Sequence, residues 1–411
     1  MKRREFLVMA GAGLLNAERG TRSAERRAGI PVPRSHVRVP RSQEPSLSPA
    51  VFARRIERAQ AELKTRTWDF LIATPGTTYR YFSGDQSGRS ERLIALIISA
   101  VGDPAIVCPS FEVDRIKQHT GIGDIRGWEE RANPYKLVQE VIRARKPRSN
   151  GTIALETSTR FHDYLGLKDA LSGWKFEDAD VVTERLRVVK SPEEIGLLRR
   201  AIGITEDAIA ATFAQLAPGK SEQEVAEILS AEMRRRGADG GGLVQFGPSS
   251  AFPHGAPSAT TLEAEMVVLI DCGCRVSGYT SDITRTVWFG EHPSDEFRKV
   301  FNLISDAQTA AITLGRPLLT QCQEMDRAAR KVIADGGYGD AFTHRLGHGI
   351  GLDEHEPPFL VEGNDQRLEP GMVFTLEPGI YQEGKFGVRI EDDCVMTESG
   401  VEVLSHRPAK L

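Results

Sequence analysis

Cysteine is scarce in this chain, with five in 411 residues. So small and odd a number excludes a disulfide scaffold. The closely spaced pair Cys272 and Cys274 sits in an apolar stretch and has no second pair to complete a zinc site. Both read as small buried residues. Long apolar runs are also missing. The N-terminal stretch 6–15 contains two glycines and falls well short of the ~20 residues a helix needs to cross a bilayer, so no stable membrane insertion is expected. Neither sign of charge dominates: 53 Lys and Arg stand against 57 Asp and Glu, for a net charge of -4. No folded segment concentrates the basic residues, which argues against a nucleic-acid partner.

What is present is ordinary globular composition, 40% hydrophobic and 27% charged, at a length that favours two domains. Residues 1–28 have the layout of an export signal: Lys2, Arg3 and Arg4 precede the short apolar stretch, and Arg3-Arg4-Glu5-Phe6-Leu7 is similar to a twin-arginine signal. The expected location is therefore periplasmic or otherwise exported, with the cytoplasm as the alternative. Residues 29–49, rich in Arg, Ser and Pro, read as a flexible linker.

Two folded parts follow. In residues 50–183, apolar strands at 69–73, 93–100, 105–108 and 152–156 alternate with helices at 51–65, 112–119 and 135–145, the pattern of an α/β layer domain. The segment Thr78-Tyr79-Arg80-Tyr81-Phe82-Ser83-Gly84 partly follows a strand–turn pattern. The second part spans 184–411. Ser191-Pro192-Glu193-Glu194 carries a Ser N-cap, Pro at N1 and Glu at N3, a capping box. Ser221-Glu222-Gln223-Glu224 opens a second helix in the same way, ending near Gly237. A comparable pair, 294–314 and 321–335, recurs about a hundred residues later. Strand hairpins follow each pair, so a duplicated helix–helix–hairpin unit is expected.

The chemistry sits in those hairpins. An apolar run, 266–270, ends at Asp271, and the returning strand, 279–289, carries Asp282. A turn centred on Val276-Ser277 places the two carboxylates opposite one another, with Cβ atoms about 4.5–5.5 Å apart. There they repel and are costly to desolvate, and a cation between them removes both problems. The pattern repeats in 372–376 ending at Glu377 and 387–390 ending at Glu391, with a turn around Glu383-Gly384. Between the hairpins lie His344, His348 and His355. One acidic residue at a strand end is usually a turn residue, and one histidine is usually structural; the set taken together points to a metal site.

In this order, Asp271-Cys272-Gly273, Ser281-Asp282-Ile283-Thr284-Arg285-Thr286, Gly347-His348-Gly349-Ile350-Gly351, Leu376-Glu377-Pro378-Gly379 and Arg389-Ile390-Glu391-Asp392 resemble the motifs of the pita-bread metallopeptidases of family M24. That family includes prolidase, aminopeptidase P and methionine aminopeptidase. The resemblance implies an α/β (α+β) fold, a pita-bread catalytic domain preceded by a smaller α/β domain like that of creatinase and prolidase. It implies two divalent ions held by Asp271, Asp282, His348, Glu377 and Glu391, with Asp282 and Glu391 bridging. Four carboxylates to one imidazole favour Mn²⁺, with Co²⁺, Fe²⁺ or Zn²⁺ as alternatives.

The implied reaction is hydrolysis of an Xaa–Pro bond, in a dipeptide or at the start of a longer peptide, by a metal-bridging hydroxide. Glu377 would act as proton shuttle, and His254 and His355 would polarise the scissile carbonyl or steady the oxyanion. His344, Tyr381 and Arg389 would join them in handling a substrate with proline in second position. The family also implies a homodimer. The additional N-terminal domain disfavours a methionine aminopeptidase. A lyase or amidinohydrolase-like enzyme on the same fold remains an alternative, as does a non-catalytic peptide-binding module.

Overall fold

The computed structural model describes residues 47–411 and, before them, only the two-residue strand Leu7–Val8, which pairs with Trp288 and Phe289. Apart from that strand, the signal-like segment and nearly all of the linker lie outside the described residues. The chain divides into two units between Val189 and Lys190.

The first unit contains α1 (Pro49–Thr65), β1 (Phe70–Ala73), α2 (Thr77–Ser83), β2 (Ala95–Ser99), β3 (Ala105–Pro109), α3 (Val113–His119), β4 (Asp124–Trp128), α4 (Pro134–Arg145), β5 (Gly151–Leu155), α5 (Phe161–Ala170), β6 (Trp174–Asp178) and α6 (Asp180–Val188). Its strands form one mixed sheet in the order β4-β3-β2-β1-β5-β6. The central strands β1, β2 and β3 are buried along their whole length. Their continuous apolar runs made them legible in the sequence. The edges β4 and β6 are only partly buried and carry charged residues, so no apolar run announced them. The expected strand–turn over Thr78 to Gly84 is instead the short helix α2, closed by Gly84 in the left-handed conformation, whose N–H donates to Arg80 O at 2.9 Å. Thr78, Tyr79, Tyr81, Phe82 and Ser83 are all buried, and a segment buried on every side shows no period to read.

The second unit opens with α7 (Pro192–Phe213) and α8 (Glu222–Arg235), both begun by complete capping boxes. Next come β7 (Asp239–Phe246), β8 (Met266–Val276), β9 (Tyr279–Thr280) and β10 (Ile283–Phe289), then α9 (Asp295–Leu314) and α10 (Cys322–Asp335). The chain closes with β11 (Gly347–Gly349), β12 (Glu356–Leu360), β13 (Val373–Leu376), β14 (Gly379–Gln382), β15 (Phe386–Arg389), β16 (Asp392–Thr397) and β17 (Gly400–Val403). One antiparallel sheet is built on β8, with β7 along one side and β9 and β10 along the other. A second runs β12-β11-β13-β16-β17, and β14 and β15 form a separate hairpin. The duplicated layout extends to detail: the cap residues Ser221 of α8 and Gln321 of α10 each form an isolated β-bridge, with Thr261 and Arg367.

The first acidic hairpin departs from the expected register. Val276 pairs with Tyr279 across a two-residue turn in which Ser277 (φ 51°) and Gly278 (φ 90°) are both left-handed, the requirement of a type I′ turn. Asp271 therefore faces Thr284, not Asp282. Because side chains alternate along a strand, a shift of two positions keeps Asp282 on the same face, as a diagonal neighbour of Asp271. Between them the backbones approach so closely that a Cβ on Gly273 would stand 1.8 Å from Ser281 O. Gly273→Ala is thus expected to push the hairpin apart and cost about 1–3 kcal/mol in a denaturant titration; an unchanged midpoint would count against this packing.

Candidate metal centre

Asp271 lies within β8, and Asp282 in the gap between β9 and β10. Glu377 and Glu391 occupy the breaks where the chain leaves β13 for β14 and β15 for β16. Leu376 pairs with Asp392 and Gly379 with Arg389, so Glu377 and Glu391 stand opposite one another in the interrupted ladder. Pro378 contributes to that interruption, having no N–H to give. The expected second hairpin is present, divided between two sheets.

His348 projects from β11. Its Nδ1 lies 3.0 Å from Gly349 O and donates to it, which leaves Nε2 with its lone pair aimed at the carboxylates. Nε2 is 3.5 Å from Glu377 Oε1 and 3.7 Å from Asp282 Oδ2. Asp271, Asp282 and Glu391 offer ligand atoms all within 4.8 Å of one another, as do His348, Glu377 and Glu391. Glu391 belongs to both sets. Asp282 also falls within the same limit of His348 and His355.

The electrostatics are those of an acidic cluster in need of cations. Burial, then the neighbouring Glu391 and Asp271 charges, pushes the Asp282 carboxyl well above its usual range. Burial followed by Glu377 and Asp271 does the same to Glu391. Glu377 is pushed up to about 8, chiefly by burial. His348 is driven down to about 3 by burial and by His355, so its imidazole is neutral, as a metal ligand must be. Four carboxylates and a neutral imidazole in two overlapping groups fit two divalent cations, which cancel the charge that otherwise keeps protons on the cluster.

A polar network fixes these donors. Thr284 Oγ1 donates to Glu391 Oε2 at 2.7 Å and accepts from Arg389 Nε at 3.1 Å. Arg389, buried, also reaches Asp271 Oδ2 at 2.6 Å and Tyr381 Oη at 2.7 Å. Tyr381 in turn lies 2.7 Å from His344 Nε2. His344 Nδ1 is engaged with Arg345 O at 2.8 Å, so Nε2 accepts the tyrosine proton. Gln308 of α9 donates to Leu376 O and to Asp392 Oδ2, both at 2.9 Å, clamping the strands that carry Glu377 and Glu391. Gln308 and Thr375, which accepts from His348 N–H at 3.2 Å, were not singled out in the sequence, and Thr284 stood there only as a member of the motif around Asp282. The one available sign was Gln308 itself, a polar residue on the buried stripe Val300, Phe301, Ile304 and Ala311.

A cavity of about 830 Å³ opens onto this cluster, and His254, His344 and His355 line it with the five acidic and imidazole donors and Arg389. The His355 ring meets His348 edge-on at 4.1 Å between centroids. Tyr381 is the exception: it is absent from the cavity wall and stands buried, its hydroxyl held between Arg389 and His344.

Comparison with known proteins agrees with this anatomy. Residues 55–189 match the Creatinase/Prolidase N-terminal domain, and residues 196–398 match Metallopeptidase family M24. An uncharacterized peptidase of Staphylococcus aureus is 37% identical over 342 residues, covering 82% of this chain and 93% of its own. Dipeptidase PepE of Mycobacterium ulcerans superposes with a TM-score of 0.81 at 36% identity, over 89% of this chain and 99% of its own. A prolidase of Thermococcus sibiricus gives 0.81 at 32% identity, with the same coverage of 89% and 99%. A pita-bread catalytic domain behind a creatinase-type α/β domain, with a carboxylate–histidine centre suited to divalent ions, makes this chain a member of metallopeptidase family M24.

Proposed function

We propose that the chain hydrolyses Xaa–Pro peptide bonds with two divalent ions, Mn²⁺ first among them, held by Asp271, Asp282, His348, Glu377 and Glu391. The observation that carries the reading is the pair of donor sets sharing Glu391. The solved relatives described as a prolidase and a dipeptidase support the substrate class. Asp271, Asp282 and Glu391 would hold one ion, and His348, Glu377 and Glu391 the other. The ions supply Lewis acidity and lower the pKa of water.

The chain's own groups do the rest. Glu377, with a carboxyl pushed up to about 8 without metal, keeps appreciable proton affinity and is placed to carry a proton to the leaving nitrogen. His355, exposed overall and with its proton affinity lowered chiefly by desolvation, presents a neutral ring to the cavity. With His254 it offers N–H donors to the carbonyl oxygen as charge develops there. His344, Tyr381 and Arg389 form a fixed relay behind Asp271 that holds this wall in place.

The purified chain, chelated and then supplied with Mn²⁺, is expected to release proline from Ala-Pro or the N-terminal residue from a longer Ala-Pro peptide, and to do neither without metal. No cleavage of either by folded, metal-loaded protein would sink the peptidase reading in favour of a lyase or a binding role. Homodimer assembly and export through the arginine-containing N-terminus belong to the same reading; sedimentation and cell fractionation test them.

A further inference from the structure

Three arginines line the metal cavity, and two are engaged. Arg389 is bound to Asp271, Tyr381 and Thr284. Arg275 donates to Leu352 O at 3.2 Å and lies 3.7 Å from Glu354. Arg345 differs: among the described residues no carboxylate or carbonyl accepts from its guanidinium. Its contact is the face of Phe359, 4.6 Å from guanidinium carbon to ring centroid. Stacking of that kind orients the planar fork and leaves its edge N–H groups open. The guanidinium shares the cavity wall with His348, His355 and Glu377.

Charge counting sharpens the point. Two divalent ions balance Asp271, Asp282, Glu377 and Glu391, which leaves the charges of both Arg389 and Arg345 in excess; Arg389 is tied to Thr284 and Tyr381, so it is the Arg345 fork that stands open to a ligand. Among the parts of a peptide, a carboxylate fits a guanidinium fork in bidentate fashion. We propose that Arg345 is the carboxylate-receiving group of this cavity and binds the free C-terminal carboxylate of a dipeptide, on the leaving-group side of the scissile bond. The proposal rests on the peptidase reading above and narrows it from peptides in general to dipeptides. Phe359 is the positioning residue that holds the fork.

The test compares the full chain with its Arg345→Met variant on Ala-Pro, Ala-Pro amide and Ala-Pro-Glu amide. With Mn²⁺, wild type is expected to favour Ala-Pro over its amide by roughly 10- to 100-fold in kcat/KM, mostly through KM. In Arg345→Met that preference, read as the ratio of the two kcat/KM values, is expected to vanish. A preference instead for Ala-Pro-Glu amide over Ala-Pro amide that Arg345→Met removes, with none for Ala-Pro, overturns the proposal by giving Arg345 to an acidic side chain. Calorimetric titration of metal-free protein with Ala-Pro and its amide gives a second readout that needs no turnover. Equal acid-to-amide ratios in wild type and variant, in turnover or in binding, overturn the proposal. Failure of wild type to cleave anything removes only the peptidase reading, since the binding ratio still decides on Arg345. If Arg345→Met does not fold, Arg345→Lys serves: an intermediate ratio, from a retained charge without the fork, supports the proposal, and an unchanged ratio overturns it.

Discussion

Asp282→Asn is expected to lower turnover by about a thousandfold or more, on the order of 4 kcal/mol in the barrier, without destabilising the metal-free fold. The carboxylate offers ligand atoms both to the Asp271–Glu391 group and to His348, so removing its charge damages both ion sites at once. Metal stoichiometry, read by calorimetry or elemental analysis, should fall from two ions to one or none. The metal-free protein responds in the opposite sense. There Asp282 is a buried carboxyl beside Glu391 and Asp271, pushed strongly toward its neutral form, and an amide of the same shape removes that strain. Its melting temperature should hold or rise. Asp392, one residue beyond Glu391, provides the contrast. It is fully buried and satisfied by Arg285 at 2.7 Å, Ser405 at 2.6 Å and Gln308 at 2.9 Å. Asp392→Asn breaks a complete buried ion pair and should cost roughly 3–5 kcal/mol of stability. A melting temperature that drops for Asp282→Asn as it does for Asp392→Asn would mean Asp282 is a structural carboxylate and not a metal donor.

That contrast also marks what the sequence could disclose. Asp271 and Glu391 were legible because an acidic residue at the end of an apolar strand is costly unless something compensates for it. Asp392 looks the same on paper, and only its partners separate a satisfied carboxylate from a donor. The hairpin register was not legible. Gly278 signals a turn, but Ser277 gives no sign of the left-handed conformation it adopts, and the turn position sets which residue faces Asp271. The consequence for the site is small, since a shift of two preserves the face. In the first unit, β1 to β3 announced themselves and β4 and β6 did not, because the edges of a sheet carry polar residues as readily as loops do. Gln308 and Thr375 were hidden for a related reason: neutral polar residues read as solvated until their partners are seen. Arg345 is the extreme case, conspicuous only because among the described residues no carboxylate or carbonyl accepts from it.

Raising the pH of the metal-free protein from about 6.5 to 8 is expected to lower its melting temperature, and adding Mn²⁺ to reverse the trend. The sign follows from which state holds protons. An unfolded glutamate titrates near 4.3, while burial holds Glu377 near 8 in the fold, with Asp282, Glu391 and Asp393 also raised. Between those limits the folded protein keeps protons that the unfolded chain has lost, so stability falls as pH rises. The histidines act the other way. Burial takes His344 down to about 4 and His348 to about 3, so the fold gains stability as pH climbs from those values to the unfolded histidine value near 6.5. Below that point the two sets oppose one another; above it the buried carboxylates set the sign, and His406, whose proton affinity is raised by its hydrogen bond to Glu206, acts in the same direction. Cations reverse the balance because they bind the deprotonated cluster. Their apparent affinity should rise with pH, and each binding event should displace protons, on the order of one or more per protein at pH 7. Calorimetry in two buffers of different ionisation enthalpy counts them. Buffer-independent heats, with a melting temperature flat from pH 6.5 to 8, would mean that the carboxylates are already ionised without metal. The positive charge that permits this would then have to come from the protein itself, and Arg389 and Arg345 are the cations nearest to hand.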